Sequence, residues 1–268
     1  MRYLLLIILS IFLTNCTSDD NNGSNEDDDF NVFSVQKDKE LGKNLSEQIE
    51  SDTSDFDVLD SSLNPEPYEH LYRIRKNLLN SGEIKYKDEF AWRMRIVKDD
   101  STLNAFATPG GYIYFYTGLI QFLENEAQFA GVMGHEMAHA DRRHSTDQLT
   151  KQYGIQLLVG LTLGENPGIL VEIASGLATK KFSRDDESEA DEFAVIYLNP
   201  TQYDARAAGG FFKKLQEEGQ TSGVPQFLST HPNPDNRVEA INDKWKELGS
   251  KAGDEFPNRY SDFQNTLP

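Results

Sequence analysis

The stretch Ala127-Gln128-Phe129-Ala130-Gly131-Val132-Met133-Gly134-His135-Glu136-Met137-Ala138-His139-Ala140 carries a single charged residue, Glu136. A helix that is apolar on every side is a buried helix. Residues four apart on a helix lie on one face, one turn above the other. His135 and His139 so placed can both reach one metal ion, and the glutamate between them stands where it can hold a water and take its proton. Burying two imidazoles and a carboxylate without partners costs on the order of several kcal/mol. A metal ion and a water are natural partners. The bland alternative is a core helix whose histidines bond to backbone carbonyls. The small residues Ala127, Ala130, Gly131, Gly134 and Ala138 let neighbouring elements come close.

A hydrolytic zinc ion usually takes three protein ligands. The chain has five histidines, at 70, 135, 139, 144 and 231, and one cysteine, Cys16, near its start. Cysteine is therefore no source of the third ligand, and carboxylates are plentiful. Ser183 followed by Asp186 resembles a capping box and starts a helix there. Ala190, Phe193, Ala194 and Tyr197 fall at core spacing on that helix. Glu187 and Asp191 border this stripe, one turn apart, while Glu189 points elsewhere. Glu187 is the candidate ligand. Asp191 is the candidate acceptor for the free ring N–H of a ligand histidine, a contact that fixes tautomer and orientation. An acidic first turn favoured by the helix dipole is the competing reading, and it suffices for Asp185 and Asp186.

With these residues in place the chain resembles the M48-type zinc metallopeptidases of the gluzincin group, and their periplasmic and lipoprotein branch more than the integral-membrane branch. The resemblance spans roughly Phe33 to Leu248. It rests on Asn104-Ala105-Phe106-Ala107 with Pro109-Gly110-Gly111, on Tyr116-Thr117-Gly118-Leu119 and on His135–His139. Further matches are Ser183-Arg184 with Glu187, Ala190 and Asp191, and Ser229-Thr230-His231-Pro232 with Arg237. It implies one zinc ion per chain on His135, His139 and Glu187, with Glu136 as catalytic base. It also implies a zincin-like fold and polypeptide substrates.

His231 has two candidate roles. It can donate to the oxyanion, as can Arg237, or it can occupy the open metal position and keep the enzyme off. A packing role in the loop before a helix carrying Val238, Ile241 and Trp245 is the alternative. With Pro232 and Pro234 beside it, its segment reads as a stiff loop rather than helix. His70 and His144 have no motif around them and read as surface or core residues.

The N-terminus reads as an export signal. Arg2 precedes eleven largely apolar residues, Tyr3 to Leu13, too few to span a bilayer. Leu13-Thr14-Asn15-Cys16 resembles a lipobox, which makes Cys16 a lipidation site and 1–15 a lipoprotein signal peptide. Residues 16–32 are an acidic, polar tether with almost nothing to bury. The expected location is the bacterial cell envelope, lipid-anchored to the outer membrane and facing either periplasm or surface. A net charge of −18 argues against nucleic acid as a partner.

The expected architecture is α+β: a single, mainly helical domain over 33–250 with a small antiparallel sheet, then a C-terminal tail over 251–268. Val35 to Ile49 and Glu66 to Leu79 read as amphipathic helices. Ala91 to Val97, Leu103 to Ala107 and Tyr112 to Tyr116 read as strands, with a turn at Thr108-Pro109-Gly110-Gly111. The apolar runs Ile155 to Leu163 and Gly168 to Leu177 are too short to cross a membrane. They read as core helices, with a membrane-surface contact as the alternative. Asn104, Ala105, Phe106, Gly110 and Gly111 are candidates for binding an extended peptide as an added strand; a plain hairpin is the alternative. The functional expectation is a zinc endopeptidase acting on exported or misfolded proteins. The competitors are a lipid-anchored, chaperone-like binding protein with a normally closed zinc site, and a zinc hydrolase of a non-peptide substrate.

Overall fold

The computed structural model describes residues 33–164, 167–179, 181–217, 226–232 and 236–268. The expected signal peptide, Cys16, the expected tether and Asn233 to Asp235 lie outside these residues. Ser34 caps α1 (Val35–Ser51) by accepting from the Lys37 amide, and Leu41, Leu45 and Ile49 recur every fourth residue as its buried stripe. Pro65 and Pro67 fall in the first turn of α2 (Pro65–Leu79), where helix N–H groups have no partner to lose. Tyr68, Leu71, Ile74 and Leu78 form the inner face of α2.

Three strands follow: β1 (Arg93–Val97), β2 (Ala105–Thr108) and β3 (Tyr112–Tyr116). β1 starts two residues later than the alternation suggests, because Trp92 takes a left-handed φ of 43° and breaks the extended run. Gly110 and Gly111, with φ of 73° and 82°, turn the chain from β2 into β3. The sheet order is β1-β3-β2. The β2–β3 pairing is antiparallel and the β1–β3 pairing is parallel. The sheet is therefore mixed rather than purely antiparallel. The loop over 98–104 is long enough to cross the end of β3, so β3 inserts between the two strands that precede it.

Side chains alternate across the sheet and feed two cores. Met94, Ile96, Ala105, Ile113 and Phe115 face the larger one, with residues of α2 and the later helices. Phe106, Tyr114 and Tyr116 face the other, with α1 and the two apolar runs.

After β3 come α3 (Thr117–Phe122), α4 (Glu126–Asp141), α5 (His144–Tyr153), α6 (Ile155–Thr162), α7 (Pro167–Leu177) and α8 (Arg184–Leu198). A 3-10 turn (Ala205–Gly209) leads to α9 (Gly210–Glu217), α10 (Gln226–Thr230), α11 (Arg237–Glu247) and α12 (Pro257–Asn265). α6 and α7 bury Leu158, Leu161, Leu170, Ile173 and Ala174 in the second core, and leave Ile155, Leu163 and Val171 exposed. Among the described residues no helix is long and apolar enough to cross a membrane.

Every residue of α4 except Gln128 is buried. On one side a Cβ at Gly131 would stand 2.6 Å from the Ala208 Cα, so the 3-10 turn rests directly on the helix backbone. At its first turn Glu126 accepts from Arg73 on α2 (2.5 and 2.8 Å), Arg259 on α12 (2.6 and 2.8 Å) and the Tyr203 hydroxyl (2.6 Å). The expected tail is therefore part of the domain. Tyr260 and Phe263, three apart on α12, are fully buried against Phe129, and Val32–Pro268 is one compact unit.

Candidate metal centre

Ser183 accepts from the Asp186 amide at 3.1 Å and the Asp186 carboxylate accepts from the Ser183 amide at 3.0 Å, which fixes the start of α8. Glu187 then lies on the first turn and Asp191 one turn on, both buried and facing α4. His135, His139, Glu187 and His231 each bring one donor atom into a cluster whose members all lie within 4.8 Å of one another. His135 Nε2 is 3.0 Å from His139 Nε2, 3.3 Å from His231 Nδ1 and 3.5 Å from Glu187 Oε2. Glu187 Oε1 is 3.3 Å from His139 Nε2 and 2.9 Å from His231 Nδ1. For bonds of about 2.0–2.1 Å, the corners of a tetrahedral site stand about 3.3–3.4 Å apart. The donors converge at that spacing.

Charge points the same way. Three carboxylates, Glu136, Glu187 and Asp191, are buried here, and the one guanidinium, that of Arg237, pairs with Glu187 and Asp191. Buried charge without balance is costly; a divalent cation would balance the remainder, in competition with protons on His135 and Glu136. Burial would raise the Glu187 pKa, but the neighbouring His231, His135 and His139 outweigh it and hold the carboxylate well below its usual value. Burial and the neighbouring histidines depress His139 well below the ordinary range, against the pull of Glu187, which keeps the ring neutral as a ligand must be. Burial opposes protonation of His135, but Asp191 and Glu187 outweigh it and push that ring up to about 9. A proton therefore competes with a metal for His135.

Asp191 Oδ1 lies 2.9 Å from His135 Nδ1 and also accepts from Arg237 Nη2 at 2.7 Å. Arg237 Nη2 donates to Glu187 Oε2 at 3.1 Å, and the guanidinium sits 3.7 Å over the Phe212 ring. Arg237 thus holds the two carboxylates of α8. Both oxygens of Glu136 and the Nε2 of His231 are buried with no hydrogen-bond partner among the described residues, and they face each other at 3.5 Å. Burial raises the Glu136 carboxyl above the ordinary glutamate value, against His231 and His135. A cation on the neighbouring ligands favours the ionised form that a base needs.

Ser229 and Thr230, read as part of a stiff loop, instead close α10. His231 is a bend that follows directly, with its amide donating to the Phe227 carbonyl at 2.7 Å. Pro232 marks the stop rather than preventing the helix. Phe227 stacks on His231 at 4.3 Å between centroids, and Phe182 on His139 at 3.9 Å. These two rings wall a centre whose ligands are all buried.

β2 is an edge strand of the sheet, but all four of its residues are buried and the Ala107 carbonyl accepts from Ser145 Oγ at 3.0 Å. Asn104 donates to the Ala178 carbonyl at 3.1 Å and accepts from Thr230, which ties the strand to the segment bearing His231. Ala105 and Phe106 face the two cores. Gly110 and Gly111 serve the turn and pack against α1 and Trp92.

Two residues escaped the sequence reading. His144 Nδ1 lies 3.0 Å from His139 Nδ1, and His144 Nε2 lies 2.9 Å from Glu189 Oε2. Five-residue spacing does not put two side chains on one helix face. Arg143, in the left-handed region at φ 66°, joins the end of α4 to the start of α5 and swings His144 back under His139. Glu189 points at this pair rather than away from the site. His70 stacks on Phe263 and lies 3.2 Å from Arg73, outside the centre.

An H-E-x-x-H helix crossed by a second helix that brings a glutamate and its aspartate partner defines a metallopeptidase-type centre. The chain belongs to peptidase family M48, whose family model it matches over residues 65–244. It is 25% identical over 223 residues to the mitochondrial metalloendopeptidase OMA1 of Schizosaccharomyces pombe, covering 81% of this chain and 63% of that protein. It is 33% identical over 153 residues to a putative beta-barrel assembly-enhancing protease of Vibrio cholerae, covering 52% of this chain and 32% of that protein. With the OMA1 of Arabidopsis thaliana it shares 33% identity over 168 residues, covering 62% of this chain and 34% of that protein. The chain thus spans between a third and two thirds of the length of these relatives.

Proposed function

We propose that this protein is a zinc-dependent metalloendopeptidase of the bacterial cell envelope that cleaves exported or misfolded polypeptides, with a centre that rests closed. The observation that carries the reading is the buried donor set of His135, His139 and Glu187 beside a Glu136 carboxylate with both oxygens unpartnered. Nitrogen and carboxylate donors at tetrahedral spacing suit zinc. Bound there, zinc supplies Lewis acidity toward a peptide carbonyl and makes water more acidic. Glu136 takes the proton from water and delivers it to the leaving nitrogen. Asp191 and Arg237 hold His135 and Glu187 in register. His231 Nδ1 stands at the fourth donor position, which supports the inhibitory role over the oxyanion role.

An extended substrate pairs with the β2 edge over Asn104–Phe106 once the elements covering that edge have moved. The lipidated Cys16 tethers the enzyme to the outer membrane. The chaperone-like alternative draws on the same observation, a fully buried centre. Zinc-loaded wild type and Glu136→Gln incubated with an unfolded protein separate the two. Fragments from wild type alone establish the peptidase. No fragments from wild type or from a zinc-loaded His231→Ala variant would leave the binding protein.

A further inference from the structure

The two histidines of α4 are supported differently. Asp191 meets the Nδ1 of His135 directly. His139 turns its Nε2 toward His135 and Glu187, so its proton belongs on Nδ1, and the side chain facing that nitrogen is His144. His144 can accept there only if its own proton is on Nε2. Glu189 Oε2 stands 2.9 Å from that nitrogen, and Glu189 Oε1 accepts from Arg142 Nε at 2.7 Å. His144 is 3% exposed and the Glu189 side chain 36%, so the series runs from the buried centre to the surface.

We propose that His144 is a positioning residue for His139: it accepts the His139 Nδ1–H, is itself fixed as a tautomer by Glu189, and so supports His139 as a ligand through one intervening imidazole. This rests on the metal-centre reading above. A carboxylate or carbonyl at the far nitrogen of a ligand histidine normally sets its tautomer and strengthens its basicity. Here the carboxylate acts at one remove, and the left-handed turn at Arg143 makes the arrangement possible. No proton need move along the series; its effect is orientation and polarisation.

The test measures metal retention in the purified chain, by chelator competition and by the visible spectrum of the cobalt-substituted protein. His144→Phe keeps the volume and the aromatic contact with Phe182 but leaves the His139 N–H unpartnered. Zinc affinity should fall about 10–100-fold with an altered cobalt band. His144→Asn places an amide oxygen near the old Nδ1 and should restore most of the affinity. Glu189→Gln should fall between wild type and His144→Phe. Equal affinity and spectra in wild type and His144→Phe would overturn the proposal. So would a His144→Asn variant that folds normally yet binds no better than His144→Phe, since packing alone predicts that result. Failure of the wild type itself to take up zinc or cobalt would bring down the metal-centre reading, and the positioning role with it.

Discussion

At the residue scale, the roles in the centre separate into holding a metal and moving a proton. His135→Ala, His139→Ala or Glu187→Ala should each leave the purified chain with little zinc by elemental analysis, whereas Glu136→Gln should stay loaded. Normal zinc in Glu187→Ala would remove that residue from the donor set. His231→Ala should raise peptidase activity and speed loss of zinc to a chelator. A fall in kcat of about 10²-fold or more with zinc retained would instead assign His231 to the oxyanion. The helix carrying His135, Glu136 and His139 was legible because its period and its lack of other charge speak locally. Glu187 and Asp191 were legible through their capping box. His144 was not, because its approach to His139 depends on one left-handed residue, Arg143, that no side-chain pattern announces.

At the element scale, α4 is a hub, and its neighbours are fixed by features that can be removed one at a time. Ala208 lies against the helix backbone at Gly131, so Gly131→Ala must push backbone rather than a flexible side chain. The better helix propensity of alanine offsets part of this, and a net loss of about 1–2 kcal/mol is expected by chemical denaturation. Glu126 ties α2 and α12 to the start of α4. Burial would raise its pKa, but hydrogen bonds from Arg73, Tyr203 and Arg259 outweigh it and hold the carboxyl below the ordinary glutamate value. The folded state therefore binds fewer protons here than the unfolded state. The stability contributed is complete above the ordinary glutamate range and fades as pH falls through the depressed folded value. Glu126→Gln should cost about 1–3 kcal/mol near neutral pH. Denaturation at successively lower pH should show the gap to wild type narrowing; a gap independent of pH would count against the charge as its source. The helices and strands themselves were readable from periodicity. The parallel β1–β3 pairing was not, since alternation shows which face a residue takes but not which strand lies beside it. The five residues of α10 are too few to show a period.

At the scale of the whole molecule, the domain carries two cores, one on each face of a three-stranded sheet, and the candidate metal centre lies on α4 and α8, whose apolar residues belong to the larger core. The sequence made the α+β class readable, but it led to α12 being read as a tail because its two anchoring aromatics stand in a short, polar-looking run. The proposed membrane attachment belongs to the N-terminus, outside the described residues, and is tested separately. The full-length protein should partition with membranes, and Cys16→Ser should release it; mass spectrometry finding an unmodified Cys16, or processing elsewhere, would remove the lipoprotein reading. The burial of all four donor residues has a consequence in populations. With the centre closed at rest, as proposed above, a substrate or an active-site inhibitor engages only molecules whose centre has opened, so its apparent affinity is the intrinsic one scaled by the open fraction. With roughly one molecule in a hundred open, an inhibitor of nanomolar intrinsic affinity would read as about a hundredfold weaker, and turnover measured on the resting protein would understate the chemistry by a similar factor. An agent that did no more than hold the centre open would then act as a potent activator without touching the catalytic groups.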